Sequence, residues 1–333
     1  ARAGVGAGEA ALTPAVYSLL AELFRPGRLA LAISIFVLAG NIGTGISFIL
    51  GGSIVQLVNA GPTLSLPGLG EFHGWQIALI LTGLPGLIIG GLAFTLPEPR
   101  RRVAPVKADP ARSYAALFRF VGAHKTFYFC HNVGFALVMG AIVGAASWTP
   151  AFFIRTYAWK TGQIGLWLGI AMIASALIGM GIHGTVVDAM FRKGKKDAHL
   201  RWLVLMCILG ALAAGVAYTA AAPVWTIAFF GLFNMFVMGF SSIGPAALQI
   251  VTPKELRGKA SSIYFITLMA IGTAGGPSAV AALTDFVFHD ESFVGIATAI
   301  MVAAFLLTAA TLFMIGLKPM REAVPATLST HEA

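Results

Sequence analysis

The sequence predicts an all-α integral membrane protein, and three observations support this fold class. Of the 333 residues, 58% are hydrophobic and only 11% are charged, whereas a soluble domain has about 25% charged residues. The mean hydropathy is +0.85. The hydrophobic residues gather in runs of about 20 or more, long enough to cross a hydrocarbon layer of about 30 Å. Membrane β-strands need only about 9 to 11 residues, so runs of this length indicate helices.

Nine apolar runs predict nine transmembrane helices. Each run ends at charged residues or at Pro and Gly, as expected where a helix leaves the bilayer. The predicted spans are 1–23, 29–58, 75–97, 126–154, 161–190, 200–221, 224–251, 260–285 and 294–317.

The basic residues predict how these helices cross the membrane. Nineteen of the 22 Lys and Arg residues lie in the loops after the first, third, fifth and seventh spans and in the C-terminal tail. The alternate loops hold only Arg155 and Lys160. Cytoplasmic loops carry the excess of positive charge, so we expect a cytoplasmic C-terminus in a multi-pass cell-membrane protein such as one of the bacterial inner membrane. The net charge of +9 then reflects the orientation of the chain in the membrane, and we expect no nucleic-acid partner.

Two parts of the sequence share a spacing that indicates a repeated bundle. Gly8 and Pro14 lie six residues apart, as do Gly239 and Pro245. In both places an arginine then precedes a Gly-Thr pair by fifteen residues. The first three spans thus repeat as the last three, which predicts three further helices ahead of residue 1 and a parent of twelve. Chance matching in glycine-rich helices is the alternative.

This repeat divides the chain into three parts. We expect residues 1–97 to be the second half of an N-terminal bundle and residues 126–333 to be a C-terminal six-helix bundle. Between them, residues 98–125 are rich in proline and basic residues and read as a cytoplasmic linker.

Several motifs in this chain resemble those of a known family of membrane proteins. Gly184-Thr-Val-Val-Asp188, followed by Arg192, is similar to the cytoplasmic loop motif of the major facilitator superfamily, although Ala189 stands where a basic residue often follows the aspartate. Residues 2–14, with Arg2, Glu9 and Pro14, are most similar to the fourth helix of spinster-like lipid transporters and of anion:cation symporters. Further residues resemble the tenth and eleventh helices of the family: Pro253, Arg257, Gly258, Gly272, Gly276, Pro277 and Asp285.

The resemblance implies a fold of two helical bundles, with nine of an expected twelve helices present, and places Arg2 and Glu9 at a proton-coupling site. Glu9 is the only acidic residue well inside an apolar span, where a charge costs about 2.5–3.5 kcal/mol. Arg2 lies two helical turns away on the same face, at a rise of about 10 Å. We expect Glu9 to take up and release a proton. A permanently paired structural charge is the alternative.

Other polar residues within the spans are candidates for substrate binding. Asn41, Asn234 and His131 are the ones we select, because the two asparagines flank the repeat interface where transporters place substrate. Asn and Gln also stabilise helix contacts in bilayers, so a structural role for each is the alternative.

A separate set of residues is expected to form a cytoplasmic gate. In this prediction the carboxylate of Asp188 pairs with Arg257 or Lys259 and locks one conformation, with Gly184 and Arg192 completing the motif. The spacing of His183 and Asp188 could also suggest an acyltransferase. Because Asp188 matches the loop motif, we expect no enzyme activity.

The resemblance implies a proton-coupled secondary transporter for a lysolipid or another amphipathic substrate, working by alternating access, and we expect it to be a monomer. Its partners are then the substrate, protons and membrane lipids. The alternative is a symporter of a small organic anion, for which Arg2 would be a binding charge. A membrane scaffold or receptor is the non-transport alternative. The two cysteines have no metal-ligand spacing, and no metal or other cofactor is expected.

Overall fold

The computed structural model describes residues 26–61, 64–66, 70–95 and 113–324, with single positions at 16 and 19. The first predicted span, 1–23, therefore lies outside the described residues apart from those two positions. Arg2 and Glu9 lie outside them as well, as does most of the predicted linker. In the first described helix, the structure describes the side chains of residues 35–58.

The described residues are mainly helical, and the helices are numbered here along the chain. The bounds are α1 Pro26–Ala60, α2 Gly74–Leu92, α3 Tyr114–Ala123, α4 Lys125–Tyr157, α5 Thr161–Arg192, α6 Ala198–Thr219, α7 Pro223–Val237, α8 Phe240–Val251, α9 Arg257–Thr267, α10 Ala274–Ala282 and α11 Val294–Ala323. Between α1 and α2, the short strands β1 Leu64–Leu66 and β2 Gly70–Phe72 pair antiparallel, with Leu64 opposite Phe72.

Eight helical segments in the described part are long and apolar enough to cross a membrane. Two of them are composite. The segment Pro223–Val251 contains α7 and α8. In the segment Arg257–Phe288, the π-helical turn Leu268–Thr273 joins α9 to α10, and a second one, Leu283–Phe288, follows α10. All eight coincide with predicted spans to within a few residues at each end, which confirms the all-α membrane fold class.

Local sequence explains several helix ends. Ser113 accepts a hydrogen bond from the amide of Ala116 at 3.1 Å and so caps the start of α3. Pro223 opens α7, where its missing N–H has no partner to lose. Gly194 adopts a φ of +80° in the turn after α5, a conformation that glycine adopts without a steric cost.

The hydrophobic core lies among α4 to α11. Its largest fully buried side chains are mostly aromatic: Phe127, Phe135, Phe153, Phe230, Phe233, Tyr264 and Phe313. By contrast, Gly45 is the one buried position among residues 35–58 of α1, and α2 has no buried residue. The described N-terminal part therefore joins the bundle mainly where α1 packs against α5.

The predicted linker contains a packed helix. Residues 98–125 include α3, whose Leu117 is fully buried against the bundle, and the ammonium of Lys259 lies 4.3 Å from the centre of the Tyr114 ring. The C-terminal part of the predicted linker is thus packed against α9. The proposed domain boundaries at 97 and 126 stay a prediction.

Candidate functional site

Helices α1 and α5 lie antiparallel and approach each other through glycines. A β-carbon on Gly45 would lie 2.8 Å from the carbonyl oxygen of Gly169, and one on Gly52 would lie 2.9 Å from the α-carbon of Gly165. Real β-carbons do not come this close to backbone atoms, so larger residues would push the helices apart. Small residues are the usual way for membrane helices to pack closely.

Polar contacts mark both ends of this glycine contact. At one end, the amide of Gly162 donates to Oε1 of Gln56 at 2.9 Å. At the other, Nδ2 of Asn41 donates to the sulfur of Met180 at 3.3 Å. We call the whole contact the α1–α5 seam, defined by Asn41, Gly45, Gly52 and Gln56 of α1 with Gly162, Gly165, Gly169 and Met180 of α5.

A cavity of about 1070 Å³ lies beside the seam, between α1, α4 and α5. No charged side chain is among the described residues that line it. They are Gly40, Gly43, Thr44, Ser47, Phe48, Gly51, Gly52, Val55, Pro150, Thr161, Ile164 and Gly165. Ligand sites are commonly apolar hollows with a few polar groups that fix orientation, and this wall has that composition.

The hydroxyl groups in the cavity wall act mainly as acceptors toward a ligand. Thr44 Oγ1 donates to the carbonyl of Gly40 at 3.2 Å, and Ser47 Oγ donates to that of Gly43 at 2.9 Å. Because a hydroxyl has one proton and two lone pairs, these bonds leave acceptor positions for a bound molecule. The arrangement suits a ligand with a hydrogen-bond donor at one end and apolar groups elsewhere.

None of the three side chains predicted to bind substrate is among the residues that line this cavity. Asn41 belongs to the seam. Asn234 is 2% exposed and donates to the carbonyl of Phe230 at 2.9 Å. His131 is fully buried, with Nε2 donating to the carbonyl of Gly244 at 3.0 Å. In this conformation these three side chains bond within or between helices. Such a structural role was the alternative to substrate binding for each of them.

Sequence reasoning missed the hydroxyl residues of the cavity. Gly40, Thr44, Ser47, Gly51 and Val55 recur at steps of three or four and so share one face of α1. A search for small and hydroxyl residues at helical spacing, rather than for single large polar residues, would have selected this face.

The predicted ion pair of Asp188 with Arg257 is not formed in the described part of the chain. Asp188 is exposed and makes no ion pair with any described residue. Arg257 instead donates from Nε to the carbonyl of Thr252 at 3.1 Å. Arg192 is exposed, and a β-carbon on Gly184 would meet nothing within 4 Å. The gate assignment therefore stays a prediction for another conformation.

A buried carboxylate lies elsewhere at this end of the molecule. Asp197, whose side chain is 2% exposed, accepts bonds from Arg201 Nη2 at 2.9 Å and Nε at 3.3 Å. Nε of Arg321, near the end of α11, lies 3.6 Å from the same carboxylate. The i, i+4 spacing of Asp197 and Arg201 was visible in the sequence, but the approach of α11 was not.

The proton-coupling residues predicted from the sequence, Arg2 and Glu9, lie outside the described residues, so their roles stay a prediction. Within the described ranges, no group of three or more His, Cys, Asp or Glu side chains is placed to hold a metal ion.

Comparison with known proteins identifies the family. The family model named Major Facilitator Superfamily matches residues 1–277. An MFS-type efflux pump of Mycolicibacterium smegmatis is 25% identical over 321 residues, which cover 95% of this chain and 70% of that protein. Protein spinster homolog 1 of Xenopus tropicalis is 22% identical over 296 residues, covering 84% of this chain and 54% of that protein.

A solved structure has the same fold. It is a bacterial homolog to the human lysosomal transporter spinster in an inward-facing and unoccupied conformation, and it matches with a TM-score of 0.69 and 18% identity over 97% of this chain and 76% of that one. The chain spans little more than half of its spinster relative from Xenopus tropicalis. From the extent of the family match and the agreement in fold, the chain belongs to the Major Facilitator Superfamily of membrane transporters, and it is similar within that family to spinster proteins.

Proposed function

We propose that this protein is a proton-coupled secondary transporter that moves a lysolipid or another amphipathic molecule by alternating access. The observation that carries the proposal is the cavity beside the α1–α5 seam, whose described wall has no charged side chain and three hydroxyl residues, Thr44, Ser47 and Thr161. An anionic group buried against such a wall would have no charged partner and a high desolvation cost, so the wall suits the apolar chain of an amphipathic molecule, with the headgroup outside it. An apolar chain would be stabilised by about 25 cal/mol per Å² of surface removed from water.

The size of the cavity agrees with an elongated substrate. At about 1070 Å³, it is slightly larger than the range of about 300–1,000 Å³ that is common for small-molecule sites. A small carboxylate would fill a minor part of this volume. Such a cavity therefore favours the amphipathic substrate over the small organic anion.

The α1–α5 seam supports alternating access. It is tight from Gly45 toward Gln56, in the half of α1 that ends at Ala60. With the C-terminus in the cytoplasm, as the basic loops predict, that half faces the outside, so the transporter is closed there. The similar bacterial structure is named as inward-facing, a conformation in which a closed outer side is expected. On this proposal the two bundles, 1–97 and 126–333, part along the seam to open outward.

Proton coupling rests on Glu9, with Arg2 as its neighbour on the same predicted helix face. We propose that Glu9 carries the proton and that its release is linked to closure of the cavity. The protein is then expected to work as a monomer, since one chain carries both the coupling residue and the cavity.

The test is uptake of radiolabelled lysophosphatidylcholine into proteoliposomes under an imposed pH gradient, comparing wild type with Glu9→Gln. We expect the gradient to accelerate uptake by the wild type and to have no effect on the variant. Glu71→Gln is the matched control, because Glu71 is an exposed residue of β2. Gradient-driven uptake that survives Glu9→Gln would remove Glu9 as the carrier, and uptake of labelled succinate in place of the lysolipid would favour the organic-anion alternative.

A further inference from the structure

The membrane span Pro223–Val251 is broken between α7 and α8. The helical backbone hydrogen bonds of this span continue as far as the bond from the amide of Met238 to the carbonyl of Asn234, at 2.9 Å. It resumes where the carbonyl of Gly239 accepts from Ile243 at 3.0 Å. Within the described part of the chain, no backbone amide donates to the carbonyl of Met235. A carbonyl left unpaired inside a membrane protein costs several kcal/mol, so another donor is expected there.

His183 of α5 supplies that donor. Its Nε2 donates to the Met235 carbonyl at 2.7 Å, and its Nδ1 accepts from the indole Nε1–H of Trp202 at 2.8 Å. The histidine is 2% exposed. Since a carbonyl only accepts and an indole N–H only donates, the two partners together require a neutral ring with its proton on Nε2.

The imidazole also occupies space that a side chain at the break would need. A β-carbon on Gly239 would lie 2.5 Å from Cγ and 2.8 Å from Cδ2 of His183. The ring therefore packs directly against the backbone at the point where α7 ends. Its hydrogen bond and its packing both act on the same joint between the two helices.

Contacts one and two turns earlier set the position of this histidine. Ser175 Oγ donates to the carbonyl of Gly231 at 2.7 Å, and a β-carbon on Gly179 would lie 2.9 Å from the Met235 carbonyl oxygen. Ser175, Gly179 and His183 follow at steps of four and thus share one face of α5. This face of α5 contacts α7 at Gly231 and Met235 and reaches the break at Gly239.

We propose that His183 is a positioning residue that fixes the direction in which α8 leaves α7. Trp202 holds the ring as the Nε2–H tautomer, and the ring replaces one of the backbone hydrogen bonds missing at the joint, the one to Met235. Without it, the Met235 carbonyl is free to find another donor, and α8 can swing relative to α6 while the outer part of α7 stays in place. This role concerns the orientation of α8 and does not depend on which substrate is carried.

Distances between pairs of spin labels test the proposal in the reconstituted protein. The two native cysteines, both buried and free, are first replaced by alanine. One pair joins Gln249→Cys of α8 to Leu205→Cys of α6, and a reference pair joins Val224→Cys of α7 to Leu212→Cys of α6. All four positions are exposed. The first pair reports the direction of α8, and the reference pair reports the part of α7 that lies before the break.

We expect His183→Leu to shift and broaden the distance distribution of the Gln249–Leu205 pair and to leave the reference pair unchanged. His183→Gln should restore the wild-type distribution, because its amide can donate to Met235 and accept from Trp202. Trp202→Phe removes one N–H and should broaden the first pair only. The proposal is overturned if the first pair is unchanged in His183→Leu, if His183→Gln behaves like the leucine variant, or if both pairs change together.

Discussion

The α-carbon of Gly165 lies 2.9 Å from the position that a β-carbon on Gly52 would take, so these two glycines bring the backbones of α1 and α5 together. The residue next to Gly52 behaves differently. A β-carbon on Gly51 would meet nothing within 4 Å. Two adjacent glycines of one helix therefore have opposite tolerance for a side chain.

This difference predicts opposite effects of two alanine substitutions. Gly52→Ala should destabilise the protein by about 1–3 kcal/mol, the usual cost of overpacking a tight contact. Gly51→Ala should be neutral or stabilise the helix by up to about 1 kcal/mol, the usual difference in helix propensity. Thermal unfolding in detergent measures both. Equal unfolding temperatures for the two variants would mean that the seam is not closely packed.

Filling the cavity should weaken substrate binding without unfolding the protein. Gly43 lines the cavity, and a β-carbon there would meet nothing within 4 Å. We expect Gly43→Leu to lower the affinity for lysophosphatidylcholine by about tenfold, which corresponds to about 1.4 kcal/mol of binding free energy. Gly181→Leu is the matched control, since Gly181 of α5 is exposed, has equal space around it and does not line the cavity. Equal binding by both variants in a fluorescence titration would place the ligand elsewhere.

The two arginines around Asp197 should contribute unequally to stability. Arg201 makes two bonds, at 2.9 and 3.3 Å, whereas Arg321 has one contact at 3.6 Å. Both arginine side chains are about half exposed, so screening by water limits their contributions. We expect Arg201→Gln to cost about 1 kcal/mol and Arg321→Gln less. A double-mutant cycle with Asp197→Asn, read by thermal unfolding, would contradict this order if Arg321 showed the larger coupling.

Asp188 should matter for the balance of conformations rather than for the stability of this one. It is exposed and has no ion-pair partner among the described residues, so Asp188→Asn should change stability by no more than about 0.5 kcal/mol. If the residue locks another conformation, the same substitution should shift the accessibility of engineered cysteines on the two membrane faces toward a maleimide reagent. Unchanged labelling on both faces would remove Asp188 from the gate.

The spans could be predicted because the bilayer imposes a strong and simple length requirement on apolar runs. Eight of the nine predicted spans coincide with described helices for that reason. The π-helical turns around Gly272 and Leu283 and the break at Gly239 could not be predicted in the same way. They lie near close contacts between helices, such as the approach of Gly276 to Gly140 and the bond from Trp148 Nε1 to the carbonyl of Pro277 at 3.0 Å, and a hydrophobic pattern does not show such contacts.

The cavity was harder to predict than the fold. Large polar residues within the spans drew attention to Asn234 and His131, yet both satisfy their hydrogen bonds with nearby carbonyls. A side chain that can reach a backbone carbonyl in an apolar interior usually does so, because an unpaired polar group is costly there. The cavity wall is instead made of glycines and short hydroxyl side chains, whose individual signal in a sequence is weak.

Helix α1 contributes to two surfaces at once. Gly51 faces the cavity, and Gly52, one residue along, touches α5. Gly52 and the Gly165 that it approaches also line the cavity, so the cavity wall and the α1–α5 seam share residues. A molecule in the cavity would therefore contact the same glycines that hold the two helices together. We expect a bulky occupant to loosen the seam and a slender one to leave it intact, which would link the width of the bound molecule to the packing of α1 on α5.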